Sequence, residues 1–174
     1  MEMGELSYGK DEIILKPIGV VHVKFNDETV KRSMNGVRGK IEVFKNYCKG
    51  LEGIEGFSHL IVIAYLHRVS KEQKRVLKVR FRRLTRFGIK LEELPEVGVF
   101  CSDSPHRPVP IAITIVKLLK REGCILHVEN LDLFDGTPIL DIKPYTPDRV
   151  VKELNLPKWY EEIFKKIQEK SNSI

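Results

Sequence analysis

Three prolines, Pro105, Pro108 and Pro110, lie in a polar, turn-like segment between the two apolar ends of the stretch that runs from Gly98 to Val116. Each proline fixes its own φ and removes a backbone donor, and each favours extended geometry in the residue before it. Neither a helix nor the interior of a sheet accommodates such a segment, so it predicts a stiff loop between two core strands. Loops carried on strands often hold binding sites. The alternative is a rigid, exposed turn without a function.

Elsewhere, short apolar runs and short runs in which apolar and polar residues alternate predict a chain that is mainly β. The run Gly56–His67 is so continuously apolar that it predicts a strand buried on both faces. Residues 131–145 predict two strands joined by a tight turn at Asp135-Gly136. Because short strands recur with turn residues between them, we expect a small β-barrel with short helices. Further strand patterns occupy residues 12–25, 38–44, 76–81, 111–116 and 124–130, and residues 26–37 are turn-like.

A helical pattern begins at Asn155, with acidic residues early and lysines late, which suits the helix dipole. We expect this C-terminal α-helix to pack on the barrel or on a second subunit. Its apolar face comprises Trp159, Ile163, Phe164 and Ile167. The predicted divisions are a flexible tail at residues 1–11, a barrel domain at 12–150 and a helical extension at 151–174.

The composition excludes several classes of protein. No apolar run approaches the roughly 20 residues of a membrane span, and the N-terminus lacks the apolar region of a signal peptide. Cys48, Cys101 and Cys124 have no Cys-x-x-Cys spacing, which favours neither a zinc site nor a disulfide framework. We therefore expect no membrane partner, no metal, and a location in a reducing cytoplasm.

Positive charge is concentrated in residues 71–90. This segment holds nine of the 30 basic residues and one of the 24 acidic residues, which leaves 21 basic and 23 acidic residues elsewhere. A compact basic segment suggests a polyanion such as a phosphate backbone, and Phe81 and Phe87 could stack on bases. The alternative is a solvated edge strand protected by its charges. The predicted nucleic-acid-binding residues are Arg75, Lys78, Arg80, Arg82, Arg83 and Arg86.

Side chains that could perform acid–base chemistry occur near predicted strand ends, although the common catalytic motifs are absent. Each has a structural alternative. A histidine such as His67 after an apolar strand is often structural, Asp135 before glycine commonly shapes a turn, and Asp141 needs a partner if buried. Arg107, in the proline loop, is expected to present its guanidinium to an anion or to clamp a carboxylate.

Two stretches, GVFCSDSPHRPVPIAITIV and LHVENLDLFDGTPILDIKPY, resemble the signature of the TrmO/YaeB-like family. That signature is similar to GVFATRSPxRPNPIG followed by LDLxDGTPxxDIKPY. Upstream, GLEGIEGFSHLIVIAYLHR resembles the family's GLE-x-x-x-x-SHLW block, and IGVVHV also fits. The likeness covers roughly residues 13–147.

The resemblance implies a β-barrel that binds S-adenosylmethionine without a Rossmann domain and works as a homodimer, with the cofactor near the subunit interface. It also implies methylation of N6 of threonylcarbamoyl-adenosine at position 37 of tRNA. A base that removes the N6 proton is expected among Asp132, Asp135, Asp141 and His67. By motif position, the cofactor pocket would include Lys31, Arg32, Ser33, His67, Arg68, Ser102, Asp103, Arg107, Ile113, Leu131, Asp132, Leu133 and Phe134.

The chain departs from the family pattern in the proline loop. Asp103 stands where the pattern has arginine, Val109 where it has asparagine, and Ala112 where it has glycine. These differences leave two alternatives open. One is a methyltransferase of the same fold with a different acceptor, and the other is a non-catalytic barrel that binds RNA or the cofactor.

Overall fold

Six strands form a closed antiparallel barrel in the computed structural model, which describes residues 13–171. The eight strands of the described chain are β1 (Gly19–His22), β2 (Val37–Val43), β3 (His59–Tyr65), β4 (Lys78–Val79), β5 (Val97–Gly98), β6 (Ile111–Glu122), β7 (Ile125–Leu131) and β8 (Pro138–Pro144). The order around the barrel is β1, β2, β7, β6, β3, β8, while β4 and β5 pair only with each other. The predicted fold class, mainly β with a small barrel, is confirmed.

The barrel is filled by alternate side chains of its strands, as expected where one face of each strand points inward. Val21, Ile41, Val62 and Leu126 are completely buried. Strand β3 is therefore not buried on both faces as predicted, because its burial alternates along its whole length. The outer positions of β3 carry isoleucines and a tyrosine, and these made the run look continuously apolar.

Two compact units make up the described chain. The barrel unit comprises the described residues up to His67 together with Ile111–Tyr145, and the second unit comprises Arg68–Pro110 together with the residues from Thr146 onward. The predicted domain limits stay a prediction, since compactness alone does not establish separate folding. The predicted tail at residues 1–11 lies outside the described residues.

The C-terminal helix, α2 (Lys158–Ser171), packs within the second unit. Ile163 on α2 joins Ile89 and Leu94 in a small buried cluster, and Trp159 packs against it. We expected the helix to pack on the barrel or on a second subunit. Residues 81–94 supply the apolar surface that its buried face covers, whereas Phe164 remains 50% exposed, so packing on a second subunit stays a prediction.

Two segments differ locally from the predicted elements. Residues 26–37, predicted as a turn, contain the short helix α1 (Asp27–Arg32), where the Asn26 side chain accepts a hydrogen bond from Thr29 N at 2.9 Å and so caps the first turn. Residues 132–137 do not continue the strand: Asn130, the last residue but one of β7, has a φ of 63°, and β7 ends at Leu131. The predicted hairpin is therefore wrong, and β8 pairs with β1 and β3 instead.

A disulfide joins Cys48 and Cys124, which contradicts the expectation of unpaired thiols. Cys48 lies in the 3₁₀ turn Lys45–Leu51 that follows β2, and Cys124 lies in the turn between β6 and β7. Val43 N donates a hydrogen bond to Cys124 O at 2.9 Å, so strand pairing brings the two cysteines to the same end of the barrel. Their separation of 76 residues left no signal in the sequence.

Within residues 13–171, no helix has the length and apolar character needed to cross a membrane. The same residues contain no cluster of three or more histidine, cysteine or carboxylate side chains that could hold a metal ion.

Candidate functional site

One end of the barrel collects most of the cofactor-pocket residues predicted in the barrel unit. Because neighbouring strands are antiparallel, the connections that follow β1 and β7 lie at the same end, where β3 also finishes and β6 begins. The disulfide lies at the opposite end. The predicted residues at this end, on these connections or just after β3, are Lys31, Arg32, Ser33, His67, Leu131, Asp132, Leu133 and Phe134.

A close backbone approach holds two of these segments together. Gly36 has a φ of 71°, and a Cβ at this position would lie 2.7 Å from Leu131 N and 2.8 Å from Asn130 O. Ser33 Oγ donates a hydrogen bond to Gly36 O at 2.5 Å, which fixes the bend between α1 and β2. The end of α1 therefore lies beside the segment that follows β7.

The approach places a cation on an aromatic ring. Lys31 Nζ lies 5.6 Å from the centre of the Phe134 ring, within the range of a cation–π interaction. Arg32 Nε lies 3.2 Å from Glu28 Oε1, so this guanidinium is held along the surface of α1. The arrangement presents a half-buried ring with a positive charge over its face.

The Asp135-Gly136 turn is fastened to the end of β1. Asp135 Oδ1 accepts a hydrogen bond from Val23 N at 2.9 Å, and Gly136 N donates to Val21 O at 2.9 Å. One carboxylate oxygen of Asp135 is thus engaged in holding the turn. Asp132 differs, because it is exposed on the same segment between the buried Leu131 and Leu133.

The structure does not bring Asp141 and Ile113 to the barrel end. Both flank Ile63 across neighbouring strands, on the outer wall of the barrel. Asp141 Oδ2 forms an ion pair with Lys143 Nζ at 2.6 Å, and Asp141 Oδ1 accepts a hydrogen bond from Ile142 N at 2.9 Å. Ile113 is 70% exposed, which is unusual for an isoleucine in a strand.

The proline loop belongs to the second unit and is held by its own side chains. Ser102 Oγ donates to Val99 O at 3.0 Å and accepts from Ser104 N at 3.3 Å. Arg107 Nη2 donates to Val99 O at 2.9 Å and to Ser102 O at 2.5 Å. Arg107 therefore stabilises the loop, and its predicted contact with a cofactor or substrate stays a prediction. Its Nε is buried and has no hydrogen-bond partner in the described part of the chain.

The remaining predicted residues of this unit are on its surface or partly exposed. Asp103 and Arg68 are exposed, Ser102 is half-buried, and their contact with a cofactor stays a prediction. Asp103 carries a negative charge into the loop, as the sequence indicated, and its neighbour His106 is exposed as well.

The basic segment is divided between structural and surface residues. Arg80 Nη1 donates to Leu94 O at 2.9 Å, and its Nε lies 4.0 Å from Glu96 Oε1, so Arg80 holds its own unit together. Arg82, Arg83 and Arg86 are exposed on the 3₁₀ turn Arg82–Phe87. Partial desolvation and, secondly, the neighbouring Arg83 guanidinium lower the pKa of Arg86. Like charges gathered in this way favour a bound anion.

Phe81, one of the two predicted base-stacking residues, is part of an aromatic cluster instead. Its ring centre lies 5.7 Å from that of Trp159 and 6.4 Å from that of Tyr160. Phe81 therefore packs α2 against its unit, so the stacking prediction was wrong for this residue. Phe87 is half-buried.

Sequence reasoning missed two residues of the barrel end, Gly36 and Asn130. Both adopt positive φ, a conformation that glycine and asparagine tolerate better than other residues. The Asn35-Gly36 pair is a turn signal that could have indicated the first of them. No comparable signal marked Asn130 within its strand pattern.

Comparison with known proteins gives one consistent result. The family model of the tRNA-methyltransferase O N-terminal domain matches residues 23–149. A protein of Pyrococcus abyssi named as a probable S-adenosyl-L-methionine-binding protein is 37% identical over 160 residues, which cover 90% of this chain and 80% of the relative. The tRNA (adenine(37)-N6)-methyltransferase of Mus musculus is 40% identical over 106 residues, which cover 61% of this chain and 22% of the mouse protein.

Among solved structures, a crystal structure of TrmO superposes with a TM-score of 0.59 at 30% identity. The match covers 82% of this chain and 62% of the TrmO chain, so the protein spans less than two thirds of the length of that structure. The family model extends over far more than half of the 174 residues and includes both segments of the barrel end. The chain therefore belongs to the TrmO family, as the two sequence stretches predicted.

Proposed function

We propose that the protein is an S-adenosylmethionine-dependent methyltransferase that acts on tRNA, at N6 of threonylcarbamoyl-adenosine at position 37. The observation that carries the proposal is the barrel end, where the cation of Lys31 lies over the Phe134 ring and the exposed Asp132 belongs to the same segment as that ring. Both segments lie within the part of the chain that the family model matches. The relatives' names, which include S-adenosyl-L-methionine binding and tRNA adenine methylation, support the same activity.

The side chains at the barrel end suit S-adenosylmethionine. Its methionine part carries a carboxylate that Lys31 would bind, and its adenine is a flat ring that Phe134 would pack against. Leu131 and Leu133 are buried beside these groups and keep the segment rigid. When bound, the cofactor supplies an electrophilic methyl group on a sulfonium.

Asp132 is the carboxylate that best suits the role of general base. The carbamoyl group makes N6 of the target adenine a poor nucleophile, so a base that removes the N6 proton would help. Asp132 would accept that proton. Asp135 already accepts a hydrogen bond from Val23 N, and Asp141 is paired with Lys143 on the outer wall. His67 is exposed after β3 and remains the second candidate.

The basic segment is proposed to hold the tRNA backbone through its exposed residues rather than through Arg80. We expect Arg82→Ala with Arg83→Ala to weaken tRNA binding and to lower the slope of log affinity against log salt by about two, one for each lost phosphate contact. Filter binding over a series of salt concentrations measures both quantities.

Lys45→Ala with Lys49→Ala, two cations exposed at the opposite end of the barrel, is the matched control for net charge. An equal loss of tRNA affinity in both double variants would mean that overall charge, and not the basic segment, carries the binding.

The predicted homodimer and cytoplasmic location belong to this proposal as well. Ile113 and Ile115 are 70% and 45% exposed on the outer wall, and a second copy of the chain would cover them. Sedimentation velocity measures the mass directly, and a monomer at micromolar concentration would contradict the dimer. A cytoplasmic location is compatible with the disulfide if the protein comes from a hyperthermophile, whose intracellular proteins commonly contain disulfides.

The direct test is methyl transfer. The purified protein, S-adenosylmethionine with a labelled methyl group and tRNA carrying threonylcarbamoyl-adenosine should yield a labelled nucleoside that mass spectrometry identifies. A labelled product in another molecule would favour the alternative of a different acceptor. Binding without transfer would favour the non-catalytic barrel.

A further inference from the structure

The second unit displays an aromatic ring that packs on little of the protein. Phe100 is 81% exposed, which is the highest value among the exposed large apolar side chains of the described residues. Leu77 and Val109 of the same unit are 62% and 63% exposed. A ring exposed to this extent does not contribute to the core and calls for another explanation.

The exposure of Phe100 is imposed by an anchored backbone. The preceding residue, Val99, is 1% exposed, and its N–H donates to Leu77 O at 2.9 Å. Its carbonyl accepts hydrogen bonds from Arg107 Nη2 at 2.9 Å and from Ser102 Oγ at 3.0 Å. The ring is thus presented by a fixed turn. Binding of a ligand to it therefore costs the protein backbone little additional conformational entropy.

Exposed basic residues lie on the chain segment that pairs with the strand before Phe100, and Asp103 is the exposed acidic residue of the same loop. Phe100 lies two residues after Gly98, which pairs with Lys78 in the two-stranded sheet of β4 and β5. Lys78 and Arg75 are exposed, and the chain has no acidic residue from Gln73 to Lys90. A partner that reaches Phe100 therefore meets Lys78 on the neighbouring strand β4 and Arg75 in the 3₁₀ turn before it. A flat apolar base attached to a phosphate backbone has the chemistry that this combination accepts.

We propose that Phe100 stacks on an unpaired base of the RNA substrate and, together with Arg75 and Lys78, positions the RNA on the second unit. The inference rests on the proposed function, since it assigns a positioning residue to the same tRNA. It replaces the sequence-based stacking role of Phe81, whose ring is occupied by Trp159 and Tyr160.

The test measures binding of a synthetic anticodon stem–loop RNA to the whole chain. Phe100→Ala should weaken the affinity roughly 5- to 150-fold, the range expected for loss of one base–aromatic stack. Phe100→Trp should restore the affinity, and its added fluorescence should be quenched as RNA binds. Phe164→Ala removes another exposed aromatic side chain of the same unit and should leave the affinity within about two-fold of the wild-type value.

The outcomes separate the inference from the function on which it rests. Unchanged affinity in Phe100→Ala, while the wild type binds RNA in a salt-dependent manner, would overturn the stacking role and leave the proposed function intact. If Phe100→Ala instead lowered the sedimentation mass of the free protein, the ring would be a contact between copies of the chain, which also overturns the proposal. Failure of the wild type to bind RNA at all would overturn both.

Discussion

Replacing both Cys48 and Cys124 with serine should lower the free energy of unfolding by about 4 kcal/mol. The disulfide closes a loop across a separation of 76 residues, which includes β3 and the whole stretch Arg68–Pro110. Without this closure the unfolded chain gains conformational entropy, while the native barrel retains its strand pairing. For a chain of this length the midpoint of thermal unfolding should fall by about 10 °C. Urea unfolding and scanning calorimetry measure the two quantities.

Cys101→Ser is the matched control, because Cys101 is exposed and not part of the disulfide. It should change the free energy of unfolding by less than about 0.5 kcal/mol. A thiol titration of the native protein purified without reductant should find one reactive cysteine. Three titratable thiols, or a double variant as stable as the wild type, would contradict the role given to the disulfide.

Gly36→Ala should destabilise the barrel unit by about 2–4 kcal/mol and abolish measurable binding of S-adenosylmethionine. The added methyl group would collide with backbone atoms of Asn130 and Leu131, which cannot move as a flexible side chain can. The positive φ of Gly36 adds strain for any residue with a Cβ. Relief of the collision must separate the end of α1 from the segment after β7, and with it Lys31 from Phe134.

Gly50→Ala provides the control, since a Cβ there would meet nothing within 4 Å. Urea unfolding gives the stability of each variant, and calorimetric titration gives the affinity for the cofactor. If Gly36→Ala bound S-adenosylmethionine as tightly as the wild type, the close approach would not be what forms the pocket.

The sequence was most informative where local chemistry determines the structure. Apolar and polar residues alternate along β2 and β7 because one face of each strand lies in the barrel. The stiffness of the proline loop follows from the fixed φ angles of its prolines. The motif stretch LDLFDGTPILDIKPY identified the family, although the same letters suggested a hairpin that does not form. Asp135 explains the difference, because it accepts a hydrogen bond from Val23 N, which follows β1 and is distant in sequence.

The remaining features depend on contacts between distant residues. Phe81 and Arg80 lie in a segment that looked like an exposed basic strand. The ring of Phe81 packs against Trp159 of α2, almost 80 residues later, and Arg80 binds Leu94 O and Glu96. The disulfide similarly depends on the register of the barrel. Phe100 had no distinguishing signal, since its exposure results from the hydrogen bonds of Val99 and not from its own chemistry.

The central claim is that the chain transfers a methyl group from S-adenosylmethionine to tRNA with Asp132 as the base. The measurement that tests it is the rate of label transfer to tRNA carrying threonylcarbamoyl-adenosine, followed by identification of the nucleoside. We expect the label on N6 at position 37, a rate lowered about 100-fold or more in Asp132→Asn, and an unchanged rate in Glu122→Gln at the opposite end of the barrel. An unlabelled tRNA after incubation with wild-type protein that binds the cofactor would contradict the account.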